Sequence, residues 1–399
     1  MNQQQYALTK HQFPHTILGI PSVLQGEGEW LFGGIGKVFI PYDNSKTAWK
    51  KVEIAQLKSF GSDLRNLELD LIELTPTDSR YVLSYRREKN DPDSAVPLGK
   101  FRLRNSQERR LLQSYRELQI LKAVEWSRQL PIINRYTRPL IEYHDHNVGL
   151  TNEGKLVLYL GMERVEGSLL FDYIANRLSI TSKGVVIKSL CDAVEAMHIL
   201  GIEHRDLKPE NVIFNGKAKI IDFGLAHTEN GIGLEDLRIG RILERNYTDR
   251  VMGTPAYMAP EQIMLRPEMN SDLYSLGIII HQILLGHPFP QLVGGRIKGR
   301  DLLNISQKYQ FNQQYFDCIP EVLAQSPNGK SLRRIAGNLV EDALYDLLCY
   351  NPKARDIHAA KELGKCLAGD QADKLGTAQR TVENPIAFLT SVDVDLTFS

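Results

Sequence analysis

The chain has 399 residues, with 48 basic and 48 acidic side chains balancing to zero formal charge, 42% hydrophobic and 24% charged residues. These are the proportions of a globular protein with two or three domain-sized units or one bilobal enzyme with additions, and the charge balance argues against bulk binding to nucleic acid or a membrane surface. Four cysteines (Cys191, Cys318, Cys349, Cys366) without a C-x-x-C pair predict free core thiols in a reducing compartment, and the polar N-terminus and interrupted apolar run at 276–285 predict a cytoplasmic protein with no membrane span.

Residues 1–25 carry no chemical motif. From Leu31 a strand-like run leads into Gly33, Gly34 and Gly36 and then a second strand containing Val38. Glycines between strands let backbone N–H groups approach a phosphate with no side chain in the way. The next run, Thr47 to Glu53, alternates with period two, which puts Ala48 and Lys50 on one face and Lys51, solvated, on the other. Residues 54–105 form a β-rich insertion, with alternating runs at 67–71 and 81–85 around a 75–79 turn. A helix then starts near Ser106, with Leu111, Leu112, Tyr115, Leu118 and Leu121 at helical spacing and Glu117 among them. The run 156–163 reads as a buried strand ending in Met162 and Glu163, followed by a polar turn containing Val165. One helix starts near Leu169, and a second covers 182–200 with Val186, Leu190, Val194, Met197 and Leu200 inward.

The most informative stretch is 204–224, H-R-D-L-K-P-E-N-V-I-F-N-G-K-A-K-I-I-D-F-G. Asn215-Gly216 favours a tight two-residue hairpin turn between 212–214 and 219–221. Such a hairpin folds Asn211 and Asp222 toward each other, and their oxygens suit a hard cation such as Mg²⁺. Asp206 lies near enough to accept a proton from a hydroxyl, and Lys208 is a counter-charge for a transferring phosphoryl group.

This stretch resembles the catalytic loop and D-F-G segment of eukaryotic-type (Hanks-type) Ser/Thr protein kinases, H-R-D-L-x-x-x-N followed by D-F-G. The resemblance covers about residues 30–52 and 106–368. It implies an α+β, bilobal protein-kinase-like fold, with a β-rich small lobe at 26–163, a mostly helical large lobe at 164–368 and a C-terminal tail at 369–399. The glycine run resembles G-x-G-x-x-G-x-V with Leu31 in place of the first glycine. By resemblance, ATP sits between the lobes under Gly33, Gly34 and Gly36, in contact with Val38, Ala48, Met162 and Ile213 and the backbones of Glu163 and Val165. Lys50 reaches the phosphates and is locked by Glu117. Val96-Pro97-Leu98-Gly99-Lys100 competes for the role of the lysine strand, but aligning it puts Gly99 where the lysine belongs, so Lys50 is favoured. Asp206 is the catalytic base, Lys208 stabilises the transferring group, and Asn211 and Asp222 bind Mg²⁺.

The stretch from Gly224 to Ala259-Pro260-Glu261 resembles an activation segment. Thr254 is expected near Asp206 and Lys208, and Thr248 is the expected phosphorylation site, with Arg205 receiving the phosphate. Asp272 is expected to brace the catalytic loop, and Arg355 to pair with Glu261. The implied activity is ATP- and Mg²⁺-dependent phosphorylation of Ser/Thr hydroxyls on protein substrates, without nucleic acid, and with the insertion offering a regulatory partner surface or a structural elaboration. The alternatives are a pseudokinase scaffold that binds partners without catalysis, and a kinase for a small molecule or lipid.

Overall fold

The computed structural model describes residues 28–32, 37–42, 46–56, 69–77, 80–89, 91–102, 105–128, 134, 136–150, 155–175, 178–228, 253–264, 267–268, 270–286, 318–326 and 328–369. They fall into two compact units. The first contains the described residues up to Glu125 together with Glu142–Arg164, and the second contains Trp126–Ile141 and the described residues from Val165 onward.

In the first unit a five-stranded antiparallel sheet joins β1 (Gly28–Phe32), β2 (Lys37–Pro41), β3 (Thr47–Gln56), β7 (Tyr143–Leu150) and β8 (Lys155–Glu163) in the order β1-β2-β3-β8-β7. Period-two alternation divides β3 between two faces. Ala48, Lys50 and Val52 stand opposite Met162, Leu160 and Leu158 on one face. Trp49 lies on the other, in a buried cluster with Phe39, Val157 and Tyr159. Trp49 faces Gly161 across the strands, where an added Cβ would stand 3.1 Å from the indole. Lys51 is half-buried, with Nζ 3.8 Å from Glu53 Oε1, so the expectation of a simply solvated lysine gives way to a packed stem beside a carboxylate.

The insertion forms its own antiparallel sheet of β4 (Leu69–Thr77), β5 (Arg80–Lys89) and β6 (Asp91–Arg102). The two expected strands are present and longer, because Pro76 and Thr77 pair with Tyr81 and Arg80 where a turn was predicted. Pro76 is tolerated since β4 is an edge strand. The run containing Lys100 is the third strand, with Lys100 opposite Ser84. Helix α1 (Asn105–Arg128) follows, burying Glu117, Leu118, Ile120, Leu121, Ala123 and Val124.

The second unit is mostly helical. The short strand β9 (Ser168–Leu169) precedes α2 (Leu170–Ala175), and α3 (Ile180–Ile199) starts two residues earlier than its apolar spacing predicts. The reason is Ser179, whose side chain accepts the N–H of Ser182 and caps the helix. Strand β10 (Ile202–Glu203) leads into the loop before β11 (Val212–Phe214) and β12 (Ala218–Ile220), and β13 (His227–Thr228) pairs back onto β10. Phe214 pairs with Ala218, so the hairpin loop is Asn215-Gly216-Lys217, three residues rather than the expected two, with Gly216 at φ 99°.

Next come α4 (Pro260–Ile263), α5 (Ser271–Leu285), α6 (Ile319–Gln325), α7 (Gly329–Ala336), α8 (Leu339–Leu348) and α9 (His358–Ala368). Helix α5 is buried almost throughout and ends on Gly286 in the left-handed conformation. Helix α9 lies against α3 at a close crossing, where a Cβ on Gly184 would stand 2.2 Å from the Ala368 backbone nitrogen. Cys191 is buried and Cys349 half-buried, but Cys318 and Cys366 are exposed, which corrects the expectation of four core thiols; all four are free. Among the described residues no helix is long and apolar enough to cross a membrane.

Candidate active site

The first unit contributes a buried ion pair. Lys50 on β3 and Glu117 on α1 are 7% and 2% exposed, and Lys50 Nζ donates to Glu117 Oε1 at 2.7 Å and Oε2 at 2.9 Å. Removing both charges from water is tolerable because each supplies what the other lacks. The rival Lys100 lies in the other sheet. Val38 stands opposite Lys50 on β2, and Ala48 opposite Met162, both buried at the end of β3 and β8. The Glu163 N–H donates to Glu142 O at 2.8 Å, so that group is already used within the sheet. Val165 follows β8 in an irregular stretch. Gly33, Gly34 and Gly36 lie outside the described residues, as do Thr248 and the segments 1–27 and 370–399.

The second unit gathers most of the expected catalytic side chains around Asp206. Its Oδ1 accepts the Thr254 N–H at 2.7 Å and the Thr254 hydroxyl at 2.8 Å. Its Oδ2 lies 3.1 Å from Lys208 Nζ and accepts from Asn211 Nδ2 at 3.3 Å. Lys208 Nζ also donates to Thr254 Oγ1 at 2.8 Å, which closes a ring of polar contacts. The approach of Thr254 depends on Gly253, at φ 117°, where a Cβ would stand 2.8 Å from Arg205 O.

The backbone beneath this ring is fixed from several sides. Asp272, at the start of α5, accepts the His204 N–H at 2.6 Å and the Arg205 N–H at 2.9 Å. His204 Nε2 is 3.0 Å from Ile221 O, and its ring lies 5.3 Å from that of Phe223. Arg205 has φ 63°, a strained conformation for a non-glycine residue that persists only where neighbours over-determine it. Arg355, buried, spans both oxygens of Glu261 at 2.5 and 3.0 Å, the pairing that the family resemblance implies.

The donor set fits a hard cation. Asn211 Nδ2 is committed to Asp206 O at 2.8 Å, so the amide oxygen is the atom of this side chain that could hold a cation. Ile221 donates to Asn211 O at 2.9 Å, so the hairpin returns the chain beside Asn211 one residue before Asp222. Asp222 has φ 65° and opens the turn Phe223–Leu225. Ile213 is half-buried on β11, between Leu169 and Lys219 in register.

Two contacts were not anticipated. His198 Nε2 lies 3.4 Å from Asp272 Oδ2. Glu203, 1% exposed, accepts from Arg205 Nε at 2.7 Å, with His227 Nδ1 3.9 Å from the same oxygen. The available signal was an acidic residue in the apolar run Gly201-Ile202-Glu203, two residues before an arginine and hence on the same side of an extended chain.

A model of the protein kinase domain matches residues 85–363. That span takes in the Asp206 network and Glu117 but starts inside β5, beyond Lys50. A stretch of 139 residues is 38% identical to serine/threonine-protein kinase Pkn1 of Myxococcus xanthus, covering 33% of this chain and 19% of that protein. Another of 210 residues is 31% identical to death-associated protein kinase 2 of Mus musculus, covering 50% and 51%. A third, of 223 residues, is 29% identical to calcium/calmodulin-dependent protein kinase type 1 of Caenorhabditis elegans, covering 51% and 52%. The chain thus spans about half the length of these curated relatives, or less.

Proposed function

This chain belongs to the protein kinase domain family, and from that premise we propose that it transfers the γ-phosphoryl group of ATP to serine or threonine hydroxyls of protein substrates. The observation that carries this reading is the convergence of Lys208, Asn211 and Thr254 on the Asp206 carboxylate. Asp206, its Oδ1 held by Thr254, orients the acceptor hydroxyl and takes its proton. Lys208 offsets charge on the transferring group. Lys50, kept in place by Glu117, draws charge from the α- and β-phosphates. Mg²⁺ held by Asn211 Oδ1 and Asp222 would neutralise phosphate charge when bound. Nucleotide contacts fall to Gly33, Gly34, Gly36, Val38, Ala48, Met162, Ile213 and the backbones of Glu163 and Val165. Positioning and charge stabilisation, rather than covalent chemistry by the protein, supply the rate.

Serine/threonine acceptors are favoured by Lys208 and its bond to Thr254, and by the likeness to serine/threonine-protein kinase Pkn1. A cytoplasmic setting and a regulatory partner at the insertion belong to the same reading. The scaffold alternative is disfavoured by the polar ring around Asp206 and by the buried Lys50–Glu117 pair. Control through a phosphate at Thr248 received by Arg205 is the regulatory form the sequence suggests; the partner of Arg205 in the described structure is Glu203.

The deciding experiment is transfer of labelled γ-phosphate from ATP with Mg²⁺ to the protein itself and to generic basic and acidic proteins, alongside Asp206→Asn and Lys50→Met. Label on Ser or Thr with wild type, and none with either variant, is the expected result. No transfer by wild type, with ATP still bound, would favour the scaffold.

A further inference from the structure

Arg205 is placed to hold an anion beside the catalytic loop, and the fold already supplies one. Its Nε donates to Glu203 Oε2 at 2.7 Å, the Glu203 side chain is almost wholly buried, and His227 on the neighbouring strand directs Nδ1 toward the same oxygen at 3.9 Å. Glu203 and His227 are opposite each other in the β10–β13 register, so the cluster is built on paired backbone. The rest of Arg205 is equally constrained. Its N–H bonds Asp272, its carbonyl accepts from Gln262 Nε2 at 2.9 Å, and its φ of 63° is strained. Asp206 follows directly, and its own N–H points at His204 Nδ1 at 3.3 Å. The guanidinium contact with Glu203 is therefore one of the restraints that set the direction of the catalytic carboxylate. With the carboxylate buried and the arginine side chain 14% exposed, the contact is only weakly screened by solvent and is costly to break from the arginine side.

We propose that Glu203 is a positioning residue that takes the place of an activation-segment phosphate as the anion for Arg205, so that phosphotransfer does not require prior phosphorylation of the 229–252 segment. This rests on the phosphotransfer reading above. An anion delivered by phosphorylation orders such a loop by supplying charge-assisted hydrogen bonds to arginine. Here the carboxylate arrives with the fold, at the end of β10, two residues before Arg205. Neither atoms nor protons change hands: Glu203 acts through Arg205 and the backbone on Asp206 and touches no substrate.

The test uses the full chain, freed of phosphate by a phosphatase and checked by mass spectrometry, with initial rates compared with untreated protein. The phosphate-free wild type should retain its kcat to within about twofold, while phosphate-free Glu203→Gln should lose kcat by about tenfold with the KM for ATP nearly unchanged. Glu203→Asp, which keeps the charge, should recover part of the loss, a response that a purely packing role would not show. Loss of wild-type activity on phosphatase treatment, or a wild-type kcat in Glu203→Gln, overturns the proposal while leaving the enzyme a kinase. Should Glu203→Gln fail to fold, the phosphatase comparison on wild type decides alone. A wild type inactive in both states overturns the phosphotransfer reading and this inference with it.

Discussion

Asp272 Oδ2 accepts the His204 N–H at 2.6 Å across 68 positions of the chain, tying the first turn of α5 to the loop that carries Asp206. Burial by itself would push this carboxyl up. The bond and charge of His198, the nearby His204 ring and the His204 N–H outweigh burial and hold it below its ordinary value of 3.8. A carboxylate depressed in the folded state contributes stability that is present above its unfolded value and lost as pH falls through the folded one. Asp272→Asn should therefore destabilise by about 2 kcal/mol at neutral pH, the scale of a charged buried hydrogen bond. Urea midpoints measured from pH 6 downward should show the wild-type advantage shrinking below pH 3.8.

Thr254 separates donor geometry from bulk. Its hydroxyl donates to Asp206 and accepts from Lys208, and serine can do both. Thr254→Ser is expected to keep most of the activity. Thr254→Val, of nearly equal volume, removes both bonds and should lower kcat by roughly 10–100-fold. Equal rates for the two variants in steady-state assays would contradict the role given to the ring.

Arg355 is enclosed by Glu261, the carbonyls of Cys349, Tyr350 and Asn270, and the Tyr274 ring at 5.1 Å. Arg355→Ala leaves Glu261 buried without its cation, and such one-sided removal costs about 3–5 kcal/mol. Thermal unfolding should show a large drop in midpoint. Glu261 retains a bond from Ser271 Oγ at 2.7 Å, which by itself does not neutralise the charge.

Lys183 is 3% exposed on α3, and its Nζ donates to Leu284 O at 2.5 Å near the end of α5. Burial lowers its pKa from 10.5 to about 8. The unfolded chain then binds more protons than the folded one between those values, so this residue's contribution makes stability rise with pH from about 8 to 10.5. Lys183→Met, similar in reach and uncharged, should lose that rise and be at least as stable as wild type near pH 7. The measurement is the difference in denaturant midpoint across pH 7–10.5.

Gly184 is a point of close approach between α3 and α9. The atoms an alanine methyl would meet there include the Ala368 nitrogen at 2.2 Å and the Leu367 carbonyl carbon at 2.5 Å, backbone that no side-chain rotation can clear. Gly184→Ala should cost about 1–3 kcal/mol, as overpacking does. Gly216→Ala, in open space at φ 99°, should cost only the milder backbone penalty of about 1 kcal/mol. Paired melting curves would rank the two.

The meeting of Lys208 and Asn211 with Asp206 was legible because it is local: the three fall within six consecutive positions. Lys50 and Glu117 were legible only through a resemblance, since no periodicity links two residues 67 positions apart. The third strand of the insertion is harder to read, because the run 96–100 resembles the lysine strand and its partner, β5, can be recognised only once the register is known. Asn215-Gly216 indicated a turn correctly but not its length, which the Phe214–Ala218 pairing sets. Glu203 was missed because an acidic residue in a short apolar run looks like a strand end until its depth of burial is seen.

The family match begins at residue 85, yet the cation that faces Glu117 stands at position 50. A fragment cut at the boundary of that match would retain the glutamate and discard the lysine that donates to both of its oxygens, leaving a buried carboxylate without that cation. Expression boundaries, domain grafts and evolutionary comparisons of this chain therefore have to start upstream of β3, because its smallest electrically complete portion is larger than its recognisable one.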